Sequence, residues 1–194
     1  MQNQTSDLAR KLMTRAYGDF FVLPAHDQTI ERIWADPQNR PALNALAADA
    51  TQPLAARFLA AEVLFARDVT FTARVGPAVV ADIYAHALAQ DLTGMANSWG
   101  LLYEHGDAGP VGIRFIMLGE PAVPALSRLL DNDASPLMYS GSKEATVGNG
   151  YHYRIKDFAA YYLAQIRRVP IVFHPEPAKR DQEIARLQQR LSTP

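Results

Sequence analysis

The stretch Ile155-Lys156-Asp157-Phe158-Ala159-Ala160-Tyr161-Tyr162-Leu163-Ala164-Gln165-Ile166 carries the most regular apolar spacing in this 194-residue chain. Its apolar side chains recur every three or four positions, the spacing that places residues on one face of an α-helix. They are Ile155, Phe158, Ala159, Tyr162, Leu163 and Ile166. Because a helix of this length gains most of its stability by packing such a face on a neighbour, the stretch predicts a helix within a helical domain.

The same helical spacing continues through most of the chain, and strict alternation of apolar and polar residues is nearly missing. Several prolines stand where first-turn prolines belong, namely Pro41, Pro53, Pro77, Pro110 and Pro121. Thr93 is expected to cap a further helix that turns Met95, Trp99, Leu102 and Tyr103 inward. A last helix is expected over about residues 178–192. The pattern predicts an all-α fold of antiparallel helix pairs stacked in sequence.

The composition is that of an ordinary globular protein, with 48% hydrophobic and 20% charged residues. A length of 194 residues suits a single domain over residues 1–194. Nineteen basic side chains against twenty acidic ones give no basic excess, which argues against nucleic acid as a partner. The absence of cysteine excludes disulfides, cysteine-ligated zinc and a thiol nucleophile.

No apolar run approaches the roughly 18 to 20 residues that a membrane-spanning helix needs, so no membrane span is predicted. The polar start, Met1 to Asp7, has no apolar signal-peptide core. Cytoplasm and periplasm both stay open as compartments, and the oligomeric state stays open as well.

Two segments resemble the helices of HEAT-type repeats, in which two helices flank a turn that carries Asp and the second helix begins with a basic residue. Residues 118–132 (Leu118-Gly119-Glu120-Pro121 to Leu130-Asp131-Asn132) resemble a first helix, and Tyr153 to Leu163 resemble a second. A weaker copy runs over Pro41 to Asp49 and Gln52 to Arg67. The resemblance covers about half the chain and implies a HEAT-like α-solenoid. Residues 131–150 then form a long insertion between the two helices of the later pair.

The insertion is expected to be a loop, because 131–136 is turn material and 140–150 holds three glycines. A long loop inside a compact domain is often functional. Its glycines would let backbone amides converge on an anion near Lys143. The candidate binding residues are Tyr139, Ser142, Lys143, Glu144, His152, Tyr153 and Arg154. The alternative is a polar excursion held by its own hydrogen bonds, or a mobile loop.

Other polar groups have structural explanations. Arg154 is expected to bond the acidic turn at Asp131 or Asp133 and so to tie the repeat together. Arg180 and the other C-terminal basic residues are expected on a solvated helix surface. The scattered histidines contain no i, i+4 pair of metal ligands: they are His26, His86, His105, His152 and His174. The turn Glu104-His105-Gly106-Asp107 is expected to end a helix. No metal and no cofactor is predicted.

These observations favour a non-catalytic binding or scaffold module, because solenoid stacks present extended recognition surfaces. The expected site is the surface around 139–157, and the expected partner is a protein or a small anionic ligand. The alternative is a hydrolase that uses Ser142, Glu144 and His152, although no nucleophile elbow surrounds the serine.

Overall fold

The computed structural model describes residues 2–22, 27–104 and 107–192. Over these residues every regular element is helical and no strand forms, which confirms the all-α prediction. One isolated antiparallel bridge joins Leu101 to Asp107. The helices group into two compact units, Met1–Ala87 and Leu88–Pro194, and a single domain over 1–194 stays a prediction.

The first unit is organised around one buried helix. Its helices are α1 (Gln2–Met13), α2 (Tyr17–Phe21), α3 (Asp27–Ala35), α4 (Asn39–Ala48), α5 (Leu54–Arg67), α6 (Phe71–Val75) and most of α7 (Pro77–Ala89). α5 is almost wholly buried from Ala56 to Phe65. α4 packs most closely on α5, and α1 and α3 pack on both of them. Apolar residues on every side of α5 account for its central place.

The second unit is organised around α11. Its elements are 3-10 turns at Ala96–Ser98, Leu102–Glu104, Glu120–Ala122 and Asn149–Tyr151, and the helices α8 (Ile113–Leu118), α9 (Val123–Ser127), α10 (Ser142–Gly148), α11 (Ile155–Arg167) and α12 (Pro177–Ser192). α11 packs against α8, α9 and α12 and is buried from Asp157 to Ala164. The predictions of α11 and of the C-terminal helix are confirmed.

The prediction of a helix after Thr93 is wrong. The chain there forms only the two short 3-10 turns, because Gly94 and Gly100 adopt positive φ angles of 71° and 121°. A Cβ atom on Gly100 would lie 2.5 Å from the Asp107 carbonyl oxygen. The backbone at Gly100 therefore approaches the backbone at Asp107 as closely as only glycine allows.

The prediction that the insertion is a loop is wrong in part, because α10 (Ser142–Gly148) lies within it. Residues 132–140 run without helix, and Gly141, at a φ of 101°, then turns the chain into α10. Gly148 at the end of α10 packs on Tyr139, where an added Cβ would lie 2.4 Å from the ring. The tertiary contact with Tyr139 stabilises a helix that the glycine-rich sequence does not predict.

None of the described helices combines the length and the apolar character needed to cross a bilayer. The expectation of no membrane span therefore agrees with the helices of the structure over its described ranges.

Candidate functional site

The first part of the insertion caps the N-terminus of α11. The amides of Ile155 and Lys156 have no partner inside the helix and donate to the carbonyls of Ala134, at 2.8 Å, and Asn132, at 3.0 Å. The Ser135 hydroxyl donates to the Tyr153 carbonyl at 2.7 Å. Residues 132–135 are therefore held in place by the helix that follows them.

Two asparagine side chains fix the middle of the insertion. Asn97 accepts from the Ser140 amide at 2.9 Å and donates to the Ser140 carbonyl at 3.0 Å. Asn149 makes the same pair of bonds to Tyr139, at 2.7 and 3.1 Å. The Ala96 amide donates to the Met138 carbonyl at 2.8 Å. The backbone of 138–140 is thus hydrogen-bonded by side-chain amides and by the Ala96 amide, in place of a neighbouring strand.

Two candidate binding residues, Tyr139 and Tyr153, belong to the core. Both are at least 96% buried, and their rings lie 6.4 Å apart edge to face. The Tyr139 hydroxyl donates to the Gly100 carbonyl at 2.9 Å, whereas the Tyr153 hydroxyl has no hydrogen-bond partner within the described residues. Burial raises the pKa of both phenols, so both stay neutral at physiological pH. Neither ring is available to a ligand at the surface.

A network of charges surrounds the start of α11. Asp157 is fully buried, and its carboxylate accepts from the Arg154 amide at 2.8 Å and from the Arg154 guanidinium at 3.0 and 3.1 Å. Arg154 also reaches Asp133 at 3.4 Å and Asp181 at 2.9 Å. Burial lowers the pKa of Arg154, but its bonds to Asp157 and Asp181 outweigh burial and raise that pKa. The expected bond from Arg154 to Asp133 is confirmed.

Arg180 completes this network from α12, and the expectation that it lies on a solvated surface is wrong. Its side chain is buried, its Nε lies 3.2 Å from an Asp157 oxygen, and its guanidinium stacks 5.0 Å over the Tyr153 ring. Its remaining nitrogens donate to the carbonyls of Tyr151, His152, His174 and Pro175. A signal existed in the sequence, since Arg180 stands four residues before Ile184 and seven before Leu187, on the apolar face of α12.

The remaining candidates lie at the surface and are not brought together. Lys143 donates to the Glu104 carboxylate at 2.6 Å, and this bond raises the pKa of Lys143. Ser142 and His152 are exposed. Within the ranges that the structure describes, no hydrogen bond joins Ser142, Glu144 and His152, the three groups of the hydrolase alternative. His152 instead takes a left-handed φ of 49°, and its carbonyl accepts from Arg180.

Metal binding finds no support in the described part of the chain, where no group of three or more His, Asp or Glu side chains could hold an ion. His26 and the His105-Gly106 pair of the Glu104–Asp107 turn lie outside the described residues. Glu104 itself ends a 3-10 turn.

The sequence interpretation missed two exposed apolar side chains beside the insertion. Met138 is 58% exposed between the buried Leu137 and Tyr139, and Val147 on α10 is 40% exposed. Lys143, four residues before Val147, shares the exposed helical face of Val147. The alternation of Leu137, Met138 and Tyr139 is the extended pattern that could have indicated one outward apolar residue.

No family model, no curated protein and no solved structure matches the chain. The assignment of a function therefore depends on the geometry of this chain alone.

Proposed function

We propose that this chain is a non-catalytic binding module with HEAT-like helix pairs, and that it recognises a protein partner through the surface around 139–157. Two contacts support the resemblance. α4 packs on α5, and α9 packs on α11, which are the two pairs that the resemblance joins. Asp49 accepts from the Thr51 amide at 2.9 Å in the turn between α4 and α5, and Arg57 bonds the Ala47 carbonyl at 3.2 Å.

The observation that carries the proposal is the exposure of Met138 on a fixed backbone. Leu137 and Tyr139 anchor the chain in the core on either side, and the asparagine pairs hold the peptide groups between them. A surface that is ordered before binding loses little conformational entropy on association. A methionine suits such a surface, because its flexible thioether adapts to the partner.

The charges of this surface favour a protein over a small anion. Lys143, Arg154 and Lys156 are each paired with a carboxylate of the chain itself. A small anion would have to compete with those carboxylates, whereas a protein partner contacts Met138 and the exposed face of α10 without breaking any ion pair.

The test uses p-benzoylphenylalanine at position 138, and at the exposed position 182 as a control, to cross-link and identify the partner in an extract of the source cells. The affinity of the purified partner is then measured by calorimetry. We expect Met138→Ser to weaken binding about tenfold, the loss of one well-buried contact residue. An unchanged affinity of Met138→Ser would overturn the proposal.

Two glycine variants separate the shape of the surface from its side chains. Gly148→Ala forces α10 away from Tyr139 and should lower the affinity, although it alters no exposed side chain. Gly150→Ala is the matched control, because an added Cβ meets no atom within 4 Å there. Equal affinities of the two variants would contradict the role given to the fixed backbone.

The hydrolase alternative makes the opposite prediction for Ser142. A catalytic Ser142 requires that Ser142→Ala abolish turnover and leave affinity almost intact. A binding surface requires that no turnover depend on Ser142, and that Lys143→Ala on the exposed face of α10 change affinity instead.

A further inference from the structure

A cleft of about 390 Å³ lies in the first unit among α1, α2 and α3. α1 and α3 both pack on α4 and α5 and pack less on each other, and the cleft is the space left between them. Its volume lies in the range of small-molecule sites, about 300 to 1,000 Å³. None of its residues belongs to the surface around 139–157, so the cleft is independent of the proposed function.

The floor of the cleft is apolar. Leu8 from α1 and Phe20 from α2 are at least 98% buried by the protein, and the half-buried Ile33 from α3 completes the lining. Because Leu8 and Phe20 are already almost fully buried, an apolar ligand body placed on this floor would chiefly remove its own surface and that of Ile33 from water, which favours binding.

The rim of the cleft is basic. Lys11, Arg15 and Arg32 line it from two sides, and all three are exposed. Among the described residues, Arg15 donates only to the Thr29 hydroxyl, at 3.2 Å, and Arg32 only to the Gln28 amide oxygen, at 3.3 Å.

Within the part of the chain that the structure describes, none of these three cations pairs with a carboxylate. The described lining of the rim holds one acid, Asp36, which accepts from the Gln38 amide at 2.9 Å. Three cations against one carboxylate leave the rim positive, and the two guanidinium groups have only neutral partners. A planar guanidinium fits a carboxylate or a phosphate with two parallel hydrogen bonds. The rim is therefore complementary to an anion in both charge and geometry.

We propose that this cleft binds a small organic anion with an apolar body and one carboxylate or phosphate group. The apolar body lies on Leu8, Phe20 and Ile33. The anionic group lies at the rim, where Arg15 and Arg32 supply donors and Lys11 supplies a further positive charge.

The test measures binding to the full chain by isothermal titration calorimetry. The probes are 2-naphthoate and 2-naphthyl phosphate, and the neutral 2-naphthol shows what the apolar body contributes alone. We expect saturable binding of at least one anion, about tenfold or more tighter than that of 2-naphthol, as one charge-assisted hydrogen bond provides. The tighter of the two identifies the anionic group. Failure of both anions to bind, or equal binding of the neutral probe, overturns the proposal.

Variants locate the binding. Lys11→Ala and Arg15→Ala should each weaken anion binding about tenfold and leave the binding of 2-naphthol unchanged. Arg10→Ala is the matched control on the same helix, because Arg10 pairs with Asp7 at 2.8 Å and does not line the cleft. All three residues are exposed, and circular dichroism verifies that each variant is folded.

A loss of affinity in Arg10→Ala equal to that in Arg15→Ala would place the binding elsewhere and contradict the assignment. High salt supplies an independent readout, since it should weaken binding of the anions and spare that of 2-naphthol. Binding that salt leaves unchanged would contradict it as well.

Discussion

Basic side chains cluster at the start of α11 and at the cleft among α1, α2 and α3, but the two clusters differ in burial and in their acidic partners. Around α11, Arg154 and Arg180 are withdrawn from water and meet the buried Asp157. In the cleft, Lys11 and Arg15 stand in water beside apolar surface with no carboxylate partner among the described residues.

The difference teaches which charges hold a structure together and which are available to a ligand. A buried charge must have its partners inside the protein, because leaving it unpaired is very costly. An exposed cation faces no such requirement, so its lack of an acidic partner costs the fold little. We therefore expect charge removal to damage stability at α11 and to leave it nearly unchanged at the cleft.

The largest expected effect is that of Asp157→Ala. The substitution removes the carboxylate that faces Arg154 and Arg180, and breaking a buried pair in this way costs about 3 to 5 kcal/mol. Guanidinium unfolding of the second unit is followed by the fluorescence of the buried Trp99, in a Trp34→Phe background that removes the first unit's signal.

The control for Asp157→Ala is Asp133→Ala in the same network. Asp133 pairs with Arg154 and Lys156, but its side chain is 70% exposed. Exposed ion pairs contribute about 1 kcal/mol or less. Equal losses in the two variants would mean that burial does not set the strength of this network.

A smaller effect is expected from Asp181, and it depends on pH. The bond from Arg154, joined by one from Lys156, lowers the pKa of Asp181. A lowered folded-state pKa means that the stabilisation is fully present above the unfolded pKa of about 3.9, begins to decline below it, and is lost as the pH falls through the lower folded-state pKa. Because the side chain is 45% exposed, we expect at most about 1 kcal/mol.

The measurement for Asp181 is the difference in unfolding free energy between the wild-type protein and Asp181→Asn, at pH 6 and at pH 3. Wild type should be the more stable protein at pH 6, and the difference should be smaller at pH 3. A difference that is the same at both pH values would show that the Asp181 charge is not its source.

The smallest effect is expected in the cleft. Lys11→Ala should change the unfolding free energy by less than about 0.5 kcal/mol, as exposed substitutions without structural partners do. Thermal and guanidinium unfolding followed by circular dichroism measure it. A loss comparable to that of Asp157→Ala would remove the contrast between the two regions.

The sequence predicted the helices whose apolar faces are regular and could not predict those that tertiary contacts create. α11 and α12 follow from spacing alone. α10 does not, because Gly148 within it and Gly141 and Gly150 beside it disfavour a helix, whereas its packing on Tyr139 stabilises one. The helix expected after Thr93 does not form either, because the backbone of Gly100 lies close to that of Asp107.

The candidate sites show the same limit. The bond from Arg154 to Asp133 is expected from the resemblance to helical repeats, but Arg180 resembles any other basic residue of a polar helix until its place on the apolar face is considered. The cleft has no local signal at all. It exists because α1 and α3 both pack on α4 and α5 and pack less on each other. That arrangement depends on contacts between residues far apart in the sequence.

The paired hydrogen bonds made by Asn97 and by Asn149 restrict which residues these two positions can accept in evolution. Each side chain presents a donor and an acceptor to one peptide group, as another peptide group would. Aspartate lacks the donor, serine is too short to span both atoms, and glutamine adds a methylene that shifts the pair out of register. Although both positions are only half-buried, we therefore expect the two asparagines to be replaced in evolution as rarely as the fully buried residues of α11.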